Sequence, residues 1–143
     1  MALSRLLLLS FLLVACNSPR AADSSEDDLR AWQGTWKLIS STYDGQPQIA
    51  DLFWVVTGDQ YRTRYNQHLD EVPVAFKLDA SRKHIDAIHH ETPQGTYGGK
   101  LKGIYKISGD SLTVCYDLTG NQYPKSFEAK RGSRQVLYQF RRE

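Results

Sequence analysis

The sequence predicts an all-β protein: a single antiparallel up-and-down β-barrel of about eight strands, preceded by a short helix. Three observations support this class. Short segments that alternate apolar and polar side chains recur along the chain, and turns of hairpin length separate them. Aromatic residues make up 11% of the chain, which favours strands over helices. No segment beyond the first strand has the apolar spacing of a helix.

Length and charge limit the alternatives. The chain has 143 residues, enough for one domain and too few for two. Lys and Arg number 18 against 16 Asp and Glu, a formal net charge of +2. Because no long basic stripe is present, we expect no nucleic-acid partner.

The first fifteen residues are expected to lie outside the folded domain. One cation, Arg5, precedes a mostly apolar segment over residues 6–15. As a helix this segment would span about 15 Å, half of the roughly 30 Å hydrocarbon core of a bilayer. It is therefore too short to cross a membrane and is typical of a secretory signal peptide.

The apolar segment ends in the letters LVAC, which resemble the lipobox of bacterial lipoproteins. The resemblance implies that residues 1–15 are cleaved, that Cys16 receives a diacylglycerol thioether, and that the new amino terminus is acylated. Several acyl chains hold a protein firmly at a bilayer, so the expected location is the cell envelope, facing the periplasm. Asn17 replaces the Asp that would favour the inner membrane, which points to the outer membrane. The alternative is an ordinary signal peptide whose cleavage region happens to contain Cys16.

Residues 16–28 form the next segment, which is small, polar and acidic. It cannot bury enough apolar surface to order itself, so we expect a lipidated cysteine followed by a disordered linker. The barrel domain is then expected over residues 29–143. A capping-box pattern, Ser25 with Asp28, precedes Leu29 and Trp32, and predicts a short helix just before the first strand.

Strands follow in order from Thr35. The segment WKLISSTY alternates, and DLFWVVTGDQYRTRY predicts a hairpin about residues 58–59. VAFKLDA and HIDAIHHE follow as two further strands. KLKGIYKISGDSLTVCYDL is the clearest hairpin, and SFEAK with QVLYQF completes the sheet. Since closure removes the exposed edges of such a meander, we expect a barrel; a β-sandwich is the competing architecture.

A structural pair is expected where the barrel closes. Trp36 opens the first strand, and Val136, Tyr138, Phe140 and Arg142 share one face of the last strand by period two. A guanidinium stacked across an indole contributes about 0.5–2 kcal/mol. We therefore expect Arg142 to cover Trp36 and to lock the first and last strands together.

The Gly-x-Trp at residues 34–36 with the late Arg142 is similar to the signature of lipocalins and other calycins. A wider set of segments resembles the lipocalin-like domain family best known from planctomycete bacteria: GTWKL, IDA at residues 85–87, GIYKISGDSLTVCYD, Pro124 with Phe127, and VLYQFRR. The resemblance implies a small barrel on an exported or lipidated chain and no established chemistry. It departs from the family where Tyr123, in place of an arginine, precedes Pro124.

A ligand pocket is the expected functional feature. Tyrosines offer apolar walls with a hydroxyl, which suits a small hydrophobic or amphiphilic guest such as a lipid fragment or a quinone-like molecule. The candidate pocket residues are Tyr61, Tyr65, Phe76, Leu78, Tyr105, Val114 and Tyr116. The alternative is that these side chains fill the barrel and leave no cavity.

Neither a metal site nor an active site is expected. Of the four histidines, His89 and His90 point to opposite faces of a strand, and only His84 with Asp86 could meet at one centre, which is too few ligands for zinc. No nucleophile elbow or Ser–His pair is present, and Cys115 is expected to be a packed thiol. We therefore expect no enzyme, no cofactor and no metal.

A second hypothesis is a protein–protein role. A tethered domain could dock to an envelope protein through an exposed loop, and the Gly-rich loop over residues 93–99 carries one aromatic, Tyr97. This non-enzymatic interaction module is the alternative to a ligand-binding barrel.

Overall fold

The structure is a computed structural model that describes residues 21–89 and 99–143. It contains helix α1 (Ala21–Trp32) and the strands β1 (Gly34–Tyr43), β2 (Gln46–Gln48), β3 (Leu52–Thr57), β4 (Gln60–Tyr65), β5 (His68–Leu69), β6 (Val74–Asp79), β7 (His84–His89), β8 (Gly99–Ser108), β9 (Ser111–Asp117) and β10 (Gln135–Arg142). Within these residues, no helix has the length and apolarity that a membrane crossing requires.

Eight of the strands form a closed antiparallel barrel. They pair in the order β1, β3, β4, β6, β7, β8, β9, β10, and β10 pairs back with β1. The short strands β2 and β5 pair only with β1 and β4 as side hairpins. The predicted all-β, lipocalin-like barrel with one short helix is confirmed, and the sandwich alternative is wrong because the sheet has no open edge between β10 and β1.

The closing seam between β1 and β10 contains a β-bulge. Their register pairs Trp36 with Arg142 and Leu38 with Phe140, and it shifts by one residue before Ser40. Ile39 is the extra residue and is 57% exposed, whereas Ser41 is buried. The bulge therefore changes the phase of β1, so that Ser41 faces the interior together with the earlier Trp36 and Leu38.

One end of the barrel is plugged by the last turn of α1. The Trp32 side chain is completely buried and contacts the rings of Phe76 and Tyr105 at 5.2 and 5.5 Å between centroids. The Trp36 indole Nε1 donates a hydrogen bond to the Trp32 carbonyl at 2.7 Å. We call this the closed end.

Helix α1 starts earlier than the sequence predicted, and it occupies residues 21–28, which we had interpreted as linker. The helix is held by tertiary contacts. The backbone N–H of Ala80 donates to Ser25 Oγ at 3.1 Å, and Lys83 Nζ pairs with the Asp28 carboxylate at 2.6 Å. Such contacts, rather than helix propensity, order a short polar segment. The segment 1–20, including the expected signal peptide and Cys16, lies outside the described residues.

The long connection between β9 and β10 crosses the outer surface of the barrel. It covers the outward side of β9, so that Cys115 is fully buried with its Sγ 3.5 Å from the Glu128 carbonyl. The connection is anchored where it begins, because the buried Asp117 carboxylate accepts hydrogen bonds from Thr119 N–H and Oγ1. Cys115 is therefore a packed thiol, and burial raises its pKa to about 11.

Candidate functional site

A cavity of about 290 Å³ occupies the other end of the barrel, which we call the open end. Strands β1, β4, β7 and β9 finish there, and β3, β8 and β10 begin there. Residues near these strand ends, together with Gln48 of β2, form the wall. They are Ser41, Tyr43, Gln48, Leu52, Trp54, Tyr61, Thr63, His89, Leu101, Tyr116, Leu118, Val136 and Tyr138.

Aromatic rings make up one side of this cavity. Trp54 stacks on Tyr61 with ring centroids 4.2 Å apart and an interplanar angle of 22°. The Tyr138 ring approaches Trp54 edge-on at 5.5 Å, and Phe140 lies 4.4 Å from Trp54 on the side of the closed end. The strands position these rings, because Trp54 lies opposite Trp36 on β1 and opposite Thr63 on β4. The result is a rigid apolar surface suited to a flat guest.

A chain of polar groups crosses the cavity wall beside these rings. The Tyr61 hydroxyl lies 3.3 Å from His89 Nε2 and 3.5 Å from the Tyr116 hydroxyl. Both tyrosines are buried, and burial raises the pKa of each phenol above its ordinary value. Both hydroxyls are therefore neutral at physiological pH, and each can donate or accept a hydrogen bond.

The described wall of the cavity carries no Lys, Arg, Asp or Glu side chain. A buried ion needs an opposite charge, and these wall residues offer no fixed one. The wall therefore suits a neutral molecule with one polar group better than a carboxylate or an amine.

The structure divides the seven candidate pocket residues. Tyr61 and Tyr116 line the cavity. Phe76, Leu78, Tyr105 and Val114 are buried in the core outside the cavity wall, and two of them, Phe76 and Tyr105, contact Trp32 at the closed end. Tyr65 is 49% exposed at the end of β4 and does not reach the interior. The predicted set was wrong for these five residues. Alternation along a strand shows which side chains point inward, but it does not show how far along the barrel axis they lie.

The two ends of the barrel therefore differ: tightly packed rings fill one, and a cavity occupies the other. The expected pair of Trp36 and Arg142 lies at the closed end, with the guanidinium 4.2 Å from the indole centroid. Arg142 also donates to the carbonyls of Ala31 and Gln33 at 2.7 and 2.6 Å. These contacts join β10, β1 and α1, and they do not touch the cavity.

Eleven of the thirteen wall residues were not among the sequence candidates, and three of them show why. Trp54 shares a strand face with Leu52 and Val56, but all five residues of LFWVV are apolar, so period two alone does not say which face is inward. His89 was considered only as a metal ligand. Ser41 could not have been found, because the bulge at Ile39 that turns it inward leaves no clear mark in the sequence.

The remaining histidines do not form a centre. Within residues 21–89 and 99–143, no three His, Cys, Asp or Glu side chains are grouped as a metal site would require. His84 instead stacks on Tyr123 with centroids 3.7 Å apart, and the Tyr123 hydroxyl donates to Asp86 at 2.7 Å. Tyr123 thus fixes the β9–β10 connection to β7. The loop proposed for protein docking lies, apart from Gly99, outside the described residues.

Comparisons of the chain with protein-family models, with curated proteins and with solved structures return no match.

Proposed function

We propose that the protein is a non-enzymatic, membrane-anchored binding protein of the cell envelope, whose barrel holds one small neutral amphiphilic molecule. The observation that supports this best is the cavity itself. It lies at one end of a barrel whose other end is packed, and its described wall combines stacked aromatic rings with a hydrogen-bonding chain of two hydroxyls and an imidazole. A barrel that served only as a scaffold would gain stability from filling this space.

The volume and polarity of the cavity define the class of guest. A volume of about 290 Å³ is near the lower end of the range for ligand pockets, roughly 300–1,000 Å³. It suits one or two rings or a short chain, while a long acyl chain would extend beyond the mouth. The neutral phenols of Tyr61 and Tyr116 can bind a carbonyl or hydroxyl group, so a quinone-like or phenolic molecule fits the wall.

Anchoring through Cys16 is the second part of the proposal. It is supported by the LVAC motif after a short apolar segment and by the resemblance of this motif to a lipobox. Two or more acyl chains would retain the domain at a membrane surface. A tethered binding barrel would then sample guests that partition into that membrane.

Tryptophan fluorescence tests binding because the three tryptophans have different surroundings. Trp54 lines the cavity, whereas Trp32 and Trp36 are buried at the closed end. Titration with 4-bromophenol, a neutral one-ring phenol that quenches tryptophan only on contact, should quench the emission of the wild type with saturation. Trp54→Phe should lose most of the quenching, and the matched Trp36→Phe should keep it. Equal quenching in the two variants, or none in the wild type, would reject the site.

A matched pair of tyrosine variants tests the polar chain. Tyr61→Phe removes a hydroxyl from the cavity, whereas Tyr105→Phe removes one that donates to Asp28 at the closed end. A phenolic guest should bind Tyr61→Phe with an affinity about 5–10-fold below that of Tyr105→Phe, which corresponds to about one hydrogen bond. Identical affinities would mean that the hydroxyl chain does not recognise the guest.

A further inference from the structure

The folded domain begins very close to the expected lipid anchor. Helix α1 starts at Ala21, five residues after Cys16. A chain of five residues spans at most about 18 Å, even when fully extended. A domain of this size has a radius of gyration of about 14 Å. The tether is therefore too short to carry the barrel clear of the bilayer, and the surface near the start of α1 must lie next to the membrane.

The contacts of α1 identify that surface. Ser25, in the first half of the helix, is bonded to Ala80 in the turn between β6 and β7. Ser25 and Glu26 also line a hollow together with Lys77 of β6. The helix thus begins beside β6 and β7, on the side of the barrel opposite β1.

The outer surface of β6, β7 and β8 carries a group of lysines, which we call the lysine face. Cross-strand register places Lys77, Asp86 and Lys102 in one row, and Ala75, Ile88 and Lys100 in the next. A shallow groove of about 460 Å³ runs between these side chains and continues to Tyr123. Lys77 belongs to both this groove and the hollow beside α1, so the lysine face adjoins the start of the helix.

The three lysines of this face form no ion pair among the described residues. On this face three ammonium groups surround one carboxylate, Asp86, which already accepts a hydrogen bond from Tyr123; Glu26 and Asp59 line the adjoining hollow beside Lys77. Lys102 lies over the Tyr123 ring at 5.2 Å, while Lys77 and Lys100 have no ion pair among the described residues. Ile88, which lies between Ala75 and Lys100 in the second row, is 44% exposed.

We propose that the lysine face rests on an anionic phospholipid bilayer, so that the barrel lies on its β6–β8 side. The inference depends on the anchoring through Cys16 proposed above. Lysines in this position attract anionic headgroups, and an exposed isoleucine between them can enter the interfacial region. The mouth of the cavity, next to Ile88 and His89, would then open beside the bilayer, where an apolar guest is concentrated.

A second basic surface on the opposite side of the barrel provides an internal control. Arg141, Lys37, Phe53 and Arg64 form one row across β10, β1, β3 and β4. Arg64 stacks on Phe53 at 4.1 Å and pairs with Glu143 at 3.5 Å. Because β1 lies opposite β7 in the barrel, Lys37 is expected to face away from the membrane.

Lysine footprinting of the mature, membrane-extracted protein tests the orientation. The protein is reconstituted into phosphatidylcholine vesicles with or without phosphatidylglycerol, labelled with a water-soluble acetylating reagent, and analysed by peptide mass spectrometry. Phosphatidylglycerol should slow acetylation of Lys77, Lys100 and Lys102 by about fivefold each, and leave Lys37 unchanged. Molar salt, which shortens the screening length to about 3 Å, should restore the rates.

The same peptide analysis distinguishes a failure of the proposed anchoring from a failure of the proposed orientation. A peptide with unmodified Cys16 would overturn the anchoring and this inference together. An acylated Cys16 with unprotected lysines, or with Lys37 protected instead, would overturn the inference alone. As a further check, K77Q/K100Q should remove the protection of Lys102, whereas K37Q/R141Q should preserve it; retained protection in K77Q/K100Q would contradict a charge-driven contact.

Discussion

Arg142 joins the last strand to the first strand and to helix α1 at the closed end. Its guanidinium stacks on Trp36 and donates to two carbonyls at the junction of α1 and β1, while its backbone N–H donates to Asp110 in the β8–β9 turn at 2.8 Å. A planar guanidinium with several N–H groups can stack on the indole and donate to both carbonyls at once, which a lysine ammonium cannot do.

Arg142→Ala should lower the free energy of unfolding by about 2–3 kcal/mol, because two charge-assisted hydrogen bonds and the cation–π contact are lost. Arg142→Lys should lower the free energy of unfolding by about half as much, because the positive charge remains but the planar guanidinium with its several donors is lost. Urea denaturation followed by circular dichroism measures both values. An Arg142→Ala variant as stable as the wild type would show that the seam does not depend on this residue.

At the scale of an element, helix α1 acts as the plug of the barrel. Its last turn inserts Trp32 between Phe76 and Tyr105, and its Asp28 accepts from Lys83. Trp32→Ala should lower the free energy of unfolding by about 3–5 kcal/mol, because a large buried side chain is deleted. Ile39→Ala, in the exposed bulge, should change it by no more than about 0.5 kcal/mol. Chemical denaturation of the two variants side by side tests the plug, and equal stabilities would contradict it.

Strand β8 has no room for a side chain at Gly103. A Cβ placed there would lie 2.7 Å from the Tyr116 ring and 2.9 Å from the Cys115 carbonyl. Gly103→Ala should therefore cost about 1–3 kcal/mol of stability. Since Tyr116 must shift to relieve the clash, the variant should also bind the neutral probe more weakly. Probe binding that is unchanged in a destabilised Gly103→Ala protein would separate the strand contact from the cavity.

The accuracy of prediction from the sequence differs between elements. The barrel strands and the seam residues follow period two, so their positions could be predicted from local patterns. The start of α1 could not, because Ser25 and Asp28 are held by Ala80 and Lys83, far away in sequence. The cavity wall was only partly predictable, since alternation does not report height along the barrel axis. The bulge at Ile39 also changes which residues of β1 face inward.

For the whole molecule, buried weak acids make stability depend on pH. Burial raises the pKa of Tyr61 and Tyr116, and it raises that of Cys115 from 9.0 to about 11. The folded state holds these protons more tightly, so the unfolded chain releases them first as pH rises, and the free energy of unfolding falls. For Cys115 this loss should extend from about pH 9 to about pH 11.

Urea denaturation at stepped pH measures this dependence. Cys115→Ala should reduce the slope between pH 9 and pH 10, because the unfolded thiol titrates there, while the tyrosines contribute equally in the wild type and the variant. The free energy of unfolding of Cys115→Ala at neutral pH measures the loss of packing, which is subtracted at each higher pH. A slope equal to that of the wild type would mean that the thiol does not contribute.

The central claim is that the open end of the barrel contains a cavity that binds one small neutral molecule. Native mass spectrometry of the mature protein with excess 4-bromophenol measures this directly, because it counts bound molecules. The wild type should carry one probe per chain, and Ser41→Phe, which places a ring in the cavity, should carry none. A wild type that binds no probe, or a filled variant that binds as well as the wild type, would contradict the account.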